Sequence, residues 1–167
     1  GEGEWVNDDP KPLIEAAIRG DRAEVVRLIG EGEDVLKRDD DERTALHLAV
    51  IGGHKGLVEE LLEVEGAETL VMARDEDCYT CLHFAAQHGN IEMVDMLVPA
   101  GGEAILHAKT AMHAWTAHEV AKRAGKAEAA KHIKSLMDAK SASKGGLGSW
   151  FKSKVRGSSS SSKGRDV

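Results

Sequence analysis

Two cysteines three positions apart raise the first question of chemistry. Cys78-Tyr79-Thr80-Cys81 reads C-x-x-C, a spacing that serves thiol redox centres and metal grips. His83 and His88 follow closely. Zinc asks for about four ligands in paired spacing, and the chain has no second cysteine pair. A redox dithiol belongs in a strand–helix–strand setting, which this sequence lacks. The run Asp39-Asp40-Asp41-Glu42 invites calcium. Counted from Asp39, however, it puts Thr44 where such a loop needs glycine and Val50 where it needs glutamate. It reads instead as a solvated hairpin tip. No phosphate-cradling glycine loop, nucleophile elbow or H-E-x-x-H helix occurs. The expectation is a chain without catalytic residues, metal or cofactor, in which Cys81 is an oxidation-prone thiol at a helix start.

The totals narrow the class. With 167 residues there is room for one domain and some excess at an end. The net charge of −7 is unevenly spread. Residues 140–167 carry seven Lys/Arg against one Asp, hence +6, so the first 139 residues carry −13, the difference between −7 and +6. An acidic body repels phosphates and argues against nucleic acid as a partner. Two cysteines so close together cannot staple a secreted domain of this size. An intracellular, cytoplasmic location is expected, with the nucleus left open. No apolar run approaches about 18 residues, and residues 1–30 lack a signal-peptide pattern. The chain begins Gly1-Glu2-Gly3-Glu4 without Met, as a fragment or a processed form would.

The elements that must position these residues come from a repeat. T-A-L-H-L-A-V-I-G-G-H from Thr44 aligns without a gap on T-C-L-H-F-A-A-Q-H-G-N from Thr80. K-P-L-I-E-A-A-I-R-G-D from Lys11 and T-A-H-E-V-A-K-R-A-G-K from Thr116 fit the same frame. Their closing glycines, Gly20, Gly53, Gly89 and Gly125, step by 33, 36 and 36. A hydroxyl at Thr44, Thr80 or Thr116 caps a helix start, and Pro12 needs no partner there. The glycine ends a short inner helix in a left-handed turn. A second helix follows with apolar pairs: Val25, Val26, Leu28 and Ile29; Leu57, Val58, Leu61 and Leu62; Met93, Val94, Leu97 and Val98. Repeats two and three run three residues long, and Leu70, Ile105 and Leu106 predict an extra apolar turn packed beneath each loop.

This pattern resembles the ankyrin-repeat family, whose motif is T-P-L-H-x-A-A-x-x-G-H about every 33 residues. The resemblance implies an all-α solenoid of four stacked helix–turn–helix units over residues 10–139, with repeats near 8–40, 41–76, 77–112 and 113–139. A leader precedes it over 1–9, and a basic tail follows over 140–167. It places Cys78 at the usual hairpin glycine and Cys81 at the usual proline. His47 and His83 become structural, holding hairpin backbone to helix, and His54 matches the G-H pair. His88, His107, His113 and His132 are expected at the surface. Terminal repeats face water on one side, and the polar second helix of repeat four reads as such a cap.

Such stacks bind other proteins on a concave face of hairpin tips and inner helices, which implies a monomeric, non-enzymatic adaptor or scaffold. Carried onto this sequence, the contact positions are Asp41, Arg43, Ile51 and Gly52; Asp77, Tyr79, Gln87 and His88; and His113, Trp115, Arg123 and Ala124. The hairpin arms add Arg38, Asp40, Arg74 and Glu76. Tyr79 and Trp115 hold one slot in successive repeats, as anchors of an interface or as rings lying flat on their own hairpins.

The tail has its own composition, rich in Ser, Gly and Lys, and reads as disordered. Leu147, Trp150, Phe151 and Val155 fall at helical spacing with Lys152, Lys154 and Arg156 among them. Gly145, Gly146 and Gly148 weaken any helix. The segment is an inert solubilising tail or a docking element for an anionic membrane, an acidic partner or the acidic body itself. Phosphorylation of Ser158 to Ser162 would cancel its charge. The membrane role would make the chain a peripheral adaptor. A further alternative is the regulatory part of a longer protein.

Overall fold

A computed structural model describes residues 10–142, so the leader and the tail positions from Leu147 to Arg156 lie outside the described residues. Those described residues form helices and loops without strands. In chain order the helices are α1 (Pro12–Arg19), α2 (Arg22–Gly30), α3 (Ala45–Ile51), α4 (Lys55–Leu61), α5 (Ala67–Met72), α6 (Cys81–Gln87), α7 (Ile91–His107), α8 (Ala117–Arg123) and α9 (Ala127–Ala142). Four hairpin-shaped pairs result: α1 with α2, α3 with α4, α6 with α7 and α8 with α9. The inner helices α1, α3, α6 and α8 stack in that order, and α7 packs against α9 in the outer layer.

Local chemistry sets each helix. Thr44, Thr80 and Thr116 accept from the backbone amides of His47, His83 and Glu119 respectively, and each of those side chains returns the bond to the threonine backbone. Pro12 opens α1, where a missing amide costs nothing. Gly20, Gly53, Gly89 and Gly125 all take positive φ, between 68° and 77°, the left-handed turn that glycine adopts without a side-chain clash.

The inner layer is thin because many of its buried positions are alanines. Ala16, Ala17, Ala45, Ala49, Ala85, Ala86, Ala117 and Ala121 are fully buried, which lets neighbouring backbones approach. Bulk comes from inner-helix Leu13, Leu46 and Leu82 and from the outer layer. Leu57, Leu61, Met93, Leu97 and Ile133 are buried, each worth about 1.5–3 kcal/mol against exposure. No single pair encloses such side chains, so the core is continuous along the stack.

The extra turns are where the loop sequences predict them. α5 is inserted between the second and third pairs, with Leu70 and Val71 buried. The other lies at the end of α7, broken at Gly102 (φ 65°, ψ −152°), and buries Ile105 and Leu106. One stripe is corrected: Val26 stays 43% exposed. Counted from the closing glycines, Val25 rather than Val26 corresponds to Val58 and Val94, and Val26 shares its outward position with Glu59 and Asp95.

Candidate functional site: the hairpin ledge and inner-helix face

Each hairpin is closed by its own first residue. Asp39 Oδ1 accepts from the amides of Asp41 and Arg43 at 2.9 and 2.8 Å. Asp75 Oδ1 does the same for Asp77 and Tyr79 at 2.9 and 2.8 Å. In the fourth hairpin Thr110 Oγ1 takes the amide of Trp115 at 3.0 Å. Asp39 is therefore turned into the hairpin, a correction to the reading of the whole acidic run as solvated. Asp40 and Glu42 remain exposed. At the turn Glu42, Cys78 and Ala114 take φ of 66°, 63° and 54°.

Successive hairpins are stitched into one ledge. The amide of Glu76 donates to Asp41 O at 3.1 Å, and that of Ala111 to Asp77 O at 3.0 Å. Arg38 Nη1 lies 2.7 Å from both Glu42 O and Arg74 O, so this candidate contact residue is an internal clamp. From beneath, His47 Nε2 lies 3.0 Å from Tyr79 O, and His83 Nε2 lies 3.0 Å from Trp115 O. The Nδ1 of each ring lies 3.1 and 3.0 Å from the amide of its threonine cap. That amide has only a proton to give, so Nδ1 accepts and Nε2–H donates to the carbonyl. Burial holds both imidazoles below their ordinary pKa and so neutral.

The two aromatic candidates are half-buried and held by their own repeats. Tyr79 lies 5.1 Å, centroid to centroid, from Phe84 and 5.2 Å from His83. Phe84 meets His47 edge-on at 5.8 Å. Trp115 stacks on His113 at 4.3 Å, and the Arg123 guanidinium sits 4.8 Å from its ring centroid. Arg43, in the same slot of repeat two, pairs with Asp39 at 3.2 Å and with Asp41 at 2.6 Å. Arg74, Asp77, Gln87, His88, His113 and Arg123 are exposed, and Asp41 is half-buried. His88 Nδ1 bonds Phe84 O at 2.8 Å.

Three surface residues escaped the sequence reading. Ile18 is 55% exposed and Met112 83% exposed, and Phe84 is half-buried beside Tyr79. Ile18 corresponds to Ile51, Gln87 and Arg123, so extending the register into the first segment would have found it. Met112 belongs to a tip that is one residue longer: Asp39 and Arg43 are four apart, Thr110 and Trp115 five.

The ledge is graded in charge. Asp40, Asp41, Glu42, Glu76 and Asp77 crowd its second and third tips. Partial desolvation, and then the carboxylate of Asp41, hold Glu76 above the ordinary carboxyl range. The fourth tip offers Met112, His113 and Trp115 instead.

The two thiols part company. Cys78 is half-exposed at the tip, whereas Cys81 is buried with its Sγ 3.4 Å from Val71 O. Burial pushes the Cys81 thiol up to about 12. The expectation of a reactive thiol there is overturned, because desolvation outweighs the helix-start field. His132 is also corrected: it is half-buried and bonds Asp95 at 2.6 Å. Among the described residues no group of three or more His, Cys, Asp or Glu is placed to hold a metal ion. No described helix is long and apolar enough to cross a membrane.

A family model described as ankyrin repeats, in three copies, matches residues 13–109. Beyond that match, α8 and α9 repeat the same capped, glycine-closed unit. No curated protein matches the chain.

Proposed function

The chain belongs to the ankyrin-repeat family, whose members are in general protein–protein interaction modules, and from that premise we propose that it binds a partner protein across the hairpin ledge and inner-helix face. In this reading it is a monomeric intracellular adaptor or scaffold without catalysis of its own. The fold supplies the shape of the face, and the target is set by surface residues.

The observation that carries the proposal is the fixed placement of Tyr79 and Trp115. Each ring stands at one slot of its repeat, its backbone oxygen tied to the preceding inner helix. Trp115 is further held between His113 and Arg123. Rigid, partly exposed aromatics lose little freedom on binding and are the residue types that dominate interface energies. Ile18 and Ile51 extend an apolar row toward the first repeat.

The test is capture of partner proteins by the full chain, compared with Tyr79→Ala, Trp115→Ala and, as a control, Glu59→Ala on the outer helix α4. Each aromatic truncation is expected to cost roughly 2 kcal/mol of binding, about thirtyfold in affinity, with the fold intact by circular dichroism. Unchanged capture by the double variant, or equal loss with Glu59→Ala, would move the binding face elsewhere.

A further inference from the structure

We infer that residues 147–156 of this chain dock on its own hairpin ledge, with Trp150 and Phe151 on the Met112–Trp115 end and Lys152, Lys154 and Arg156 along the carboxylates. The inference rests on the reading of the ledge as the partner-binding face, because it sets the chain's own segment in competition there.

The first argument is where α9 leads. It has 16 residues where α2 has nine and α4 seven, a length of about 24 Å. As the second helix of its hairpin it runs back toward the tips, and its Met137 and Asp138 share a surface groove with Ala114 and Thr116. The described residues therefore end near the base of the fourth hairpin.

Reach is sufficient. Eight Cα-to-Cα steps join Ala142 to Trp150 and span up to about 27 Å when extended. Neighbouring helix pairs are offset by about 8–10 Å, so the third and second hairpins lie one and two such steps past the fourth.

The order of chemistry also matches. Travelling from the fourth hairpin to the second, the ledge presents Met112, the most exposed of its large apolar side chains at 83%, and Trp115. It then presents Asp77 and Glu76, and after them Asp41, which already pairs with Arg43. Travelling along the segment, Trp150 and Phe151 come first and Lys152, Lys154 and Arg156 after. Crowding among the ledge carboxylates, where Asp41 adds to partial desolvation in raising the Glu76 carboxyl, is relieved when cations arrive. The large-scale imbalance points the same way, with −13 before residue 140 and +6 after it, from a total of −7.

Zero-length carbodiimide cross-linking of the full chain tests this, using an equal mixture of isotopically light and heavy chains mapped by mass spectrometry. The expected result is links from Lys152 or Lys154 to Asp41, Glu76 or Asp77, joining peptides of the same isotope. They should fall at least about fivefold in 1 M salt, where the Debye length shrinks to roughly 3 Å. They should fall likewise when Arg156→Glu and Trp150→Ala are introduced together, which leaves both linkable lysines in place. Mixed-isotope links would identify a second copy as the occupant and overturn the inference. So would the absence of these links, and an absence accompanied by sedimentation with phosphatidylserine-containing vesicles would assign the segment to a membrane. Same-isotope links in a chain whose partner capture survives Tyr79→Ala and Trp115→Ala would uphold the docking and sink the partner-face reading alone.

Discussion

His83 Nε2 stands 3.0 Å from the backbone oxygen of Trp115, 32 residues further along. The same ring takes the amide of Thr80 on its other nitrogen. One imidazole thus ends the cap of its own helix and fixes the next hairpin, so the placement of Trp115 depends on a buried residue in a different repeat. Replacing His83 by Ala leaves Trp115 O and the Thr80 amide without these partners. The expected cost is about 2–3 kcal/mol, read as a lowered urea midpoint. A loss below about 0.5 kcal/mol would deny the ring its structural role.

Acid weakens the capping bond, because a proton on Nδ1 removes the acceptor of the threonine amide while Nε2–H still donates to the carbonyl. His47 and His83 have folded pKa values below the ordinary 6.5 because burial disfavours the charged ring. The unfolded chain then binds more protons as pH falls through 6.5. The stability these rings contribute is fully present above that value and is lost below it. With both rings protonated only in the unfolded state, the limiting slope is about 2.7 kcal/mol per pH unit. Urea titrations at several pH values between 5 and 7.5 should show this fall, and His47→Gln with His83→Gln should flatten it. A slope unaffected by the double replacement would point to other groups.

Three hairpin tips hold non-glycine residues in the left-handed region: Glu42, Cys78 and Ala114. That conformation costs an L-residue roughly 1–2 kcal/mol, partly offset by the greater freedom glycine loses on folding. Glu42→Gly and Cys78→Gly should each stabilise by about 0.5–1 kcal/mol, raising the thermal midpoint by a few degrees. Gly53→Ala is the converse. Its φ is 73° and an added Cβ meets nothing within 4 Å, so it should cost about 1 kcal/mol through backbone strain alone. Stabilisation by Gly53→Ala would show that φ is not the controlling quantity.

The cysteines are separated by a simple count. In the native protein a maleimide should modify Cys78 alone, with Cys81 reacting only in denaturant, because the Cys81 thiol is buried and pushed up to about 12. Two modified thiols in the native state would contradict the burial.

What could be read in the residues divides along a physical line. The caps, the closing glycines and, Val26 apart, the outer-helix stripes were legible because each is a local requirement repeated in register. The structural tasks of His47 and His83 came with the same motif. The fate of Cys81 was not legible. A helix start predicts a stabilised thiolate, but the inserted turn α5 brings Val71 O to the sulfur and excludes water. The setting of Trp115 was hidden for a similar reason. One extra residue in the fourth tip lets His113 stack on the ring, and Arg123 reaches it from α8. Spacing alone carries no record of either approach.

Between the first two repeats, His54 fills a slot walled by glycines, and this pair of layers gives the sharpest mutational test. Its Nε2 lies 3.2 Å from Ile18 O. A Cβ on Gly52 would come within 2.6 Å of the ring's Cδ2, and one on Gly20 within 2.6 Å of Cε1. Gly20 also needs its positive φ, but Gly52 has an ordinary φ of −81°, so at Gly52 the ring is the only obstacle. Gly52→Ala should expel the imidazole and lose its bond to Ile18, costing about 1–2 kcal/mol. With His54→Ala already in place the obstacle is gone, and alanine's better helical propensity should turn the same change neutral or stabilising by up to ~1 kcal/mol. A double-mutant cycle in urea should therefore give a coupling of at least about 1 kcal/mol. Additive effects would mean that the ring does not occupy the slot, and that another contact holds the first repeat to the second.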